Sequence, residues 1–308
     1  MSRTVLPYCA ILLILSACSG TPSDPRHDDT PTYGHVSILA DESFRSVLEI
    51  EEAVYEYHYK DADVDLYYMP EGELLKAMLQ DSVRAVFASF MPGGEQEAFF
   101  RNKQLAPHVE SVATDGIAVI VNKGCSEDSL SVEELTSWLS GTPLPGVKYE
   151  VFPPLRPMFD RSGSGVARTL VDSLLGGDAS RLKAQVFAAT GFEDLVSQVS
   201  SHVDAIGFLP FSAISDLDNE QCRALRDQVK ILAVGSGTSK AVLPSQGTLA
   251  DKSYPLRRSI VMMVVEGKSG LGTGFASFVA GPKGQKIILK RGLVPAHLHV
   301  REVEIVFE

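Results

Sequence analysis

"DRSGSGVARTL", residues 160–170, carries the chain from a proline-rich stretch through a Gly-Ser-Gly turn into apolar positions at helical spacing, with an arginine at the mouth of the turn. The prolines of "FPPLRPMF" (152–159) push the residues before them out of the helical region, so the chain enters the turn extended. Strand, tight turn and helix make up the repeating unit of an α/β layer, and the sequence on either side repeats it. "HVSILA" (35–40) reads as a buried strand followed by a helix from Ser43. "DVDLYY" (63–68), a helix over 71–80, the strand "VRAVFAS" (83–89) and a helix over 95–102 follow. "ATDGIAVIVN" (113–122) reads as a long strand broken at Asp115-Gly116, and "SVEE" (131–134) as a capping box opening a helix through Trp138. Further strands are expected at "VDAIGFLPF" (203–211), "VKILAV" (229–234), "RRSIVMMVVE" (257–266) and "HVREVEIVF" (299–307), with helices from Gly274 and over 283–290.

The turn itself predicts an anion site. Small residues at a helix start leave the backbone N–H groups of Gly163, Ser164, Gly165 and Val166 outward at the positive end of the helix dipole. The Ser162 and Ser164 hydroxyls add donors, and the Arg161 guanidinium can fork onto two oxygens of a tetrahedral oxyanion. Other motifs fail: there is no P-loop lysine, no third glycine after Gly165, and no Gly-x-Ser-x-Gly elbow. A capped helix start is the alternative reading of the same residues.

Composition sets bounds on function. The 308 residues are 44% hydrophobic and 22% charged, ordinary for a folded protein long enough for two domains. A net charge of −11 argues against a nucleic-acid surface, and the short basic clusters at Arg257-Arg258 and 286–291 read as solvated charges. Residues 1–18 form a targeting segment: Arg3, the apolar "VLPYCAILLIL", then "LSAC" ending at Cys18. "LSAC" resembles the lipobox of bacterial lipoproteins, which implies a lipidated Cys18. Residues 19–32, polar and rich in Pro, Ser, Thr and Asp, read as a flexible tether. Cys125 and Cys222 then remain as one possible disulfide pair, and His297 and His299 read as solvated or core histidines rather than metal ligands. No cofactor is expected. No serine shows a histidine and carboxylate at recognisable spacing, so no enzyme activity is expected either.

Seven segments in order carry a resemblance: "DESF" (41–44), "FAS" (87–89), "TDGIAVIVN" (114–122), "RSGSGV" (161–166), "DAIGFLPFS" (204–212), "YPLRRSIVMMV" (254–264) and "GQKIILKRGLVPA" (284–296). Together, over roughly residues 35 to 300, they resemble the phosphate-binding lipoproteins of ABC-type phosphate uptake systems, type 2 periplasmic solute-binding proteins. The resemblance implies an α/β fold of two lobes, each a mixed sheet flanked by helices, with the ligand cleft between them. Lobe 1 would be residues 33–113 plus 255–308, and lobe 2 residues 114–254. It also implies a monomer, lipid-anchored on the extracytoplasmic side of a membrane, that passes phosphate to an ABC-type permease.

By the same resemblance, Ser43 and Phe44 supply a hydroxyl and an N–H to the ligand, Ser89 a hydroxyl, and Ser164, Gly165 and Val166 the helix-start donors, the valine lacking one hydroxyl. Three departures mark a divergent branch. The family's proton-accepting aspartate falls on Phe90, its Ser-rich turn reads "PEGE" (70–73), and its arginine falls one position off Arg161. Glu71, Asp41 or Asp160 would replace the aspartate, with Glu71 favoured because its turn faces the same cleft. Other oxyanions (sulfate, molybdate, an organic phosphate) could use the same donors, and a surface scaffold or adhesion lipoprotein could use the fold with no transported ligand. A Cys18→Ser precursor is expected to lose membrane association; retention in the membrane fraction after a high-salt wash would refute the anchor.

Overall fold

The computed structural model describes residues 29–79, 83–143, 156–266 and 268–297. Its first half runs β1 (Tyr33–Asp41), α1 (Arg45–His58), β2 (Asp61–Met69), α2 (Glu71–Ala77), β3 (Ala85–Ala88), α3 (Gly94–Asn102) and β4 (His108–Val121). β1 alternates half-buried and buried positions, with Val36, Ile38 and Ala40 inward, whereas all four residues of β3 are buried. A strand covered on both faces has no polar side to present, hence the continuous apolar run. α1 buries Val47, Leu48, Glu51 and Tyr55, the single stripe of a helix laid on a sheet.

After β4 come β5 (Ser129–Ser131), α4 (Val132–Ser140), β6 (Arg156–Phe159), α5 (Gly165–Leu175), β7 (Phe187–Ala188), α6 (Phe192–Ser201), β8 (Ala205–Pro210) and α7 (Glu220–Arg226). The chain closes with β9 (Lys230–Ile231), β10 (Ala233–Gly235), α8 (Gln246–Ala250), β11 (Arg257–Val264), α9 (Leu271–Ala280), α10 (Pro282–Lys290) and β12 (Val294–Pro295). The capping box is present: Ser131 N–H donates to Glu134 at 2.7 Å and Glu134 N–H to Ser131 Oγ at 3.0 Å.

The strands follow the order β2-β1-β3-β11-β4-β8-β6-β7, with β9 and β12 also on β4 and a separate β5-β10 pair. β1 pairs parallel with β2 and β3, and β6 parallel with β7 and β8, while β11 is antiparallel to both β3 and β4. β4 belongs to both halves. Its residues up to Gly116 pair with β11, and Ile117–Val121 pair with β8. The returning segment runs beside it, since Ile117 N–H donates to Leu256 O at 2.8 Å and the Tyr254 hydroxyl to Ile117 O at 2.6 Å.

Several expectations change. β4 is not broken at Asp115-Gly116: Asp115 is held by Arg258 and Ser212, and at Gly116 a Cβ would come within 2.9 Å of Leu249, so a glycine keeps the strand running. α9 begins at Leu271 rather than Gly274, because Asp29 accepts from Leu271 N–H and Glu266 from Gly272 and Thr273 N–H, capping a glycine-rich start. The stretch 229–234 is two short strands separated at Leu232, which donates to Val119 O. Residues 29–32 do not belong to the tether: Asp29 is buried against α9, Tyr55 donates to Pro31 O, and Gly274 has no room for a Cβ beside Pro31. Cys125 and Cys222 are free thiols. The expected terminal strand and residues 152–155 lie outside the described residues.

Glu51 is the anomaly of this core. It is fully buried on the apolar stripe of α1, and neither carboxyl oxygen has a hydrogen-bond partner among the described residues. Burial pushes its carboxyl up to about 8. The folded state therefore holds a proton that the unfolded chain releases near its ordinary value of 4.5, and stability falls by about 1.4 kcal/mol per pH unit across that window. Glu51→Met should outlast the wild type in urea at pH 8, with the gap narrowing as pH falls toward 5; a gap independent of pH would contradict it.

Candidate functional site

The ends of β1, β3 and β6 converge where the two halves meet, each followed by a turn that opens a helix. From β1 come Asp41 and Ser43. Asp41 Oδ1 accepts from Ser43 N–H at 2.8 Å and from the Ser43 hydroxyl, an Asx-type turn closing the strand. From the turn after β2 comes Glu71, the first residue of α2, 1% exposed. Its Oε1 accepts from Ser89 N–H at 2.5 Å and Ser89 Oγ at 2.9 Å, while its Oε2 accepts from Arg168 Nε at 2.5 Å. Arg168 also donates to Ser89 Oγ at 3.2 Å and to Asp172, and stacks over the Phe90 ring.

Across the junction, Ser164 caps α5 by accepting from Ala167 N–H at 3.2 Å. Gly165 follows it, and the space where a Cβ would stand is taken: Asp41 Oδ2 lies 2.8 Å from that point, Ser89 Oγ 3.0 Å and Glu71 Oε2 3.1 Å. Two carboxylates of the first half thus sit against the positive end of the α5 dipole, where the sequence predicts a bound anion. A backbone bond from Gly72 N–H to Gly163 O at 3.0 Å holds the two turns together, Gly163 having the left-handed φ of +72° that glycine tolerates.

The floor of the junction is ionic. Arg258 clamps Asp115 Oδ2 through Nε at 3.0 Å and Nη2 at 2.7 Å, and Ser212 N–H donates to Asp115 Oδ1 at 2.9 Å. Ser212 Oγ reaches Ser43 O at 3.0 Å, and the Arg258 guanidinium stacks on Phe44. Among the buried atoms without hydrogen-bond partners among the described residues are the donor Arg258 Nη1 and the acceptor Asp160 Oδ1. Asp160 is 1% exposed, and burial, reinforced by the charge of Asp41, raises its carboxyl to about 6. Burial and the neighbouring Glu71 raise Asp41 as well, against the opposing pull of Arg258.

Of the residues expected from sequence, Ser43, Glu71, Ser89, Ser164 and Gly165 come together in this cluster. Phe44 and Val166 are wholly buried and contribute packing around it, and Ser162 is exposed. Arg161 turns elsewhere, with Nη1 3.8 Å from Glu42 and Nη2 3.5 Å from Thr190 O, where it lines a cavity of about 400 Å³ between α1 and the start of α6. Arg258, expected as a solvated charge, is 4% exposed because it alternates with Arg257 along β11 and meets Asp115 on the inner side. The sequence reading missed Arg168, although it lies three residues beyond Gly165 and so on the same helical face. His297 bonds Glu110 on the surface, and His299 lies outside the described residues. Among the described residues no group of three or more His, Cys, Asp or Glu could hold a metal ion, and no helix is long and apolar enough to cross a membrane.

A family model described as a PBP superfamily domain matches residues 26–283. Solved structures share the fold. One described as a phosphate ABC transporter substrate-binding protein from Clostridium perfringens, with phosphate bound, is 20% identical and matches with a TM-score of 0.69 over 86% of this chain and 100% of its own. An ABC-type phosphate transport receptor from Vibrio cholerae is 14% identical, TM-score 0.63, over 84% and 99%. A regulatory domain, OxyR2 from Vibrio vulnificus, is 13% identical, TM-score 0.52, over 81% and 94%. Among curated proteins none matches significantly.

The packing at α5 generates a direct test. In Gly165→Ala the new methyl meets two carboxylate oxygens and a hydroxyl at 2.8–3.1 Å, which forces the halves apart at this point. Overpacking of this kind costs about 1–3 kcal/mol, so the variant is expected to melt several degrees below the wild type. An unchanged melting temperature would show that the junction is not closed in solution.

Proposed function

The chain belongs to the PBP superfamily, with the fold of type 2 periplasmic binding proteins, and from that premise we propose that it is an extracytoplasmic solute-binding lipoprotein that captures a phosphate-type oxyanion between its halves and delivers it to an ABC-type importer. One observation carries the ligand class: the unpartnered buried donor Arg258 Nη1 and acceptor Asp160 Oδ1 at the same junction. A buried donor or acceptor left unmade costs about 1–3 kcal/mol, so the site favours an occupant that accepts at one end and donates at the other.

Monohydrogen phosphate does both. Sulfate and molybdate at neutral pH only accept. The surrounding charge works in the same direction, because Asp41, Glu71, Asp115 and Asp160 outnumber Arg168 and Arg258. A bare dianion is repelled by the excess carboxylates, whereas an oxyanion carrying a proton places it between itself and a carboxylate. In this reading Asp160 accepts the ligand's proton, while Glu71, engaged by Ser89 and Arg168, is not free to do so. Lipid anchoring at Cys18 and an ABC permease complete the assignment. No covalent step is assigned, in keeping with a solute-binding family.

Calorimetric titration with phosphate and sulfate at pH 7.5 tests it. The wild type should prefer phosphate by at least about tenfold, roughly 1.4 kcal/mol. In Asp160→Asn the amide donates to sulfate as readily as it accepts from phosphate, so the preference should shrink. The raised Asp160 carboxyl, at about 6, gives a second signature: below that pH it carries a proton and becomes a donor, so sulfate binding should strengthen relative to phosphate as the solution is acidified from 7.5 to 5. Equal affinity for the two anions at pH 7.5, or binding of neither, would overturn the assignment.

A further inference from the structure

Ser89, whose hydroxyl is expected to receive an oxyanion, is already in use, as is Arg168 beside it. Ser89 N–H, Ser89 Oγ and Arg168 Nε all converge on the Glu71 carboxylate, at 2.5, 2.9 and 2.5 Å. The partners come from both halves: Glu71 opens α2, Ser89 follows β3, and Arg168 lies in the first turn of α5. Glu71 Oε2 also stands 3.1 Å from the Cβ position of Gly165, against the amino end of that helix. A carboxylate held by a backbone N–H, a hydroxyl, a guanidinium and a helix N-terminus has the surroundings that an external oxyanion needs. Glu71 is 1% exposed, so water does not compete for these bonds.

We propose that Glu71 is an internal ligand, its carboxylate occupying an oxyanion position of the cleft and holding the two halves closed until an external anion displaces it. The inference rests on the oxyanion-binding reading for the identity of the displacing anion, but not for the closure. The Glu71–Arg168 pair and the Gly72–Gly163 bond lie side by side, so the start of α2 is fastened to the 163–168 segment at two points. Phe90 adds to this, because it supports the face of Arg168 and offers the guanidinium no competing charge. Displacement requires the Glu71 carboxylate to leave Ser89 and Arg168, with the start of α2 still held by Gly72 on Gly163. The consequence is an affinity set by competition: the ligand gains Ser89 and Arg168 only as Glu71 loses them.

Chemical rescue tests this with the full mature chain. Glu71→Ala empties the position while leaving Ser89 and Arg168 in place. Acetate, a carboxylate small enough to refill it, should raise the melting temperature of Glu71→Ala above that seen with equal ionic strength of chloride. It should leave the wild type unmoved, and the rescue should vanish in Glu71→Ala/Arg168→Ala. Phosphate should bind Glu71→Ala at least tenfold more tightly than wild type. Failure of acetate to stabilise Glu71→Ala beyond chloride overturns the proposal, as does a wild type that binds phosphate as tightly as the variant. If phosphate binds neither protein while acetate rescues the variant, the internal ligand stands and the oxyanion-transport reading falls. Should Glu71→Ala fail to fold, Glu71→Gln keeps the side-chain volume and an acceptor for Ser89 but gives Arg168 no charge. Phosphate affinity above wild type in Glu71→Gln then supports the proposal, and affinity equal to wild type overturns it.

Discussion

The junction of the two halves depends on the buried pair between Asp115 and Arg258. Asp115 lies on β4, which pairs with β11 on one side and continues into the pairing with β8, and Arg258 lies beside it on β11. Both side chains are fully removed from water, which costs several kcal/mol per ion unless the charges meet with good geometry. Two guanidinium nitrogens on one carboxylate oxygen, with Ser212 N–H on the other, supply that geometry. Ser212 then ties the second half to the end of β1 through Ser43 O. The order of consequence runs outward from the pair: it fixes the register of the crossing strands, the register fixes the ends of β1, β3 and β6, and those ends bring Asp41, Ser89 and Asp160 within reach of one another.

A cluster so rich in carboxylates has to manage its own repulsion, and the structure does so in three ways. Asp115 and Glu71 are paired with arginines. Asp41 receives two donors from Ser43 and lies at the amino end of α5. Asp160 has a carboxyl raised to about 6, mainly by burial and against a hydrogen bond from Ser164. Two of the four carboxylates are thus paired with arginines, while burial raises the carboxyls of the other two, Asp41 and Asp160.

The same fold serves structures described as a phosphate ABC transporter substrate-binding protein, an ABC-type phosphate transport receptor and an OxyR2 regulatory domain, at identities of 13–20%. At that distance the fold alone is shared, and function has to be read from the site. Here the site differs from a plain helix-start anion cradle in having its own carboxylates inside it. The bonds that close the halves, Gly72 to Gly163 and Glu71 to Arg168, join the turn before α2 to the start of α5. The contact between the halves at this point is consequently carried by one short helix and one helix start.

The sequence by itself determined the alternation of strands and helices, because apolar runs bounded by turns and caps are local signals: β1, β3, the capping box at Ser131–Glu134 and the turn into α5 are all legible from neighbours within a few residues. It also marked Ser43, Glu71, Ser89 and Gly165 as candidates for one site. It misread Arg258 as solvated and β4 as broken, it did not foresee that Arg161 turns toward Glu42 and Thr190, and it passed over Arg168. Each of these depends on which distant segment lies opposite. Arg258 is buried because Asp115, 143 positions away, faces it, and Arg168 enters the site because Glu71, 97 positions away, reaches across to it. Hydrophobic period and capping are properties of a short stretch of chain, while the partner of a charge is a property of the folded pair, and only the tertiary structure decides whether a turn of small residues receives a solute or the protein's own carboxylate.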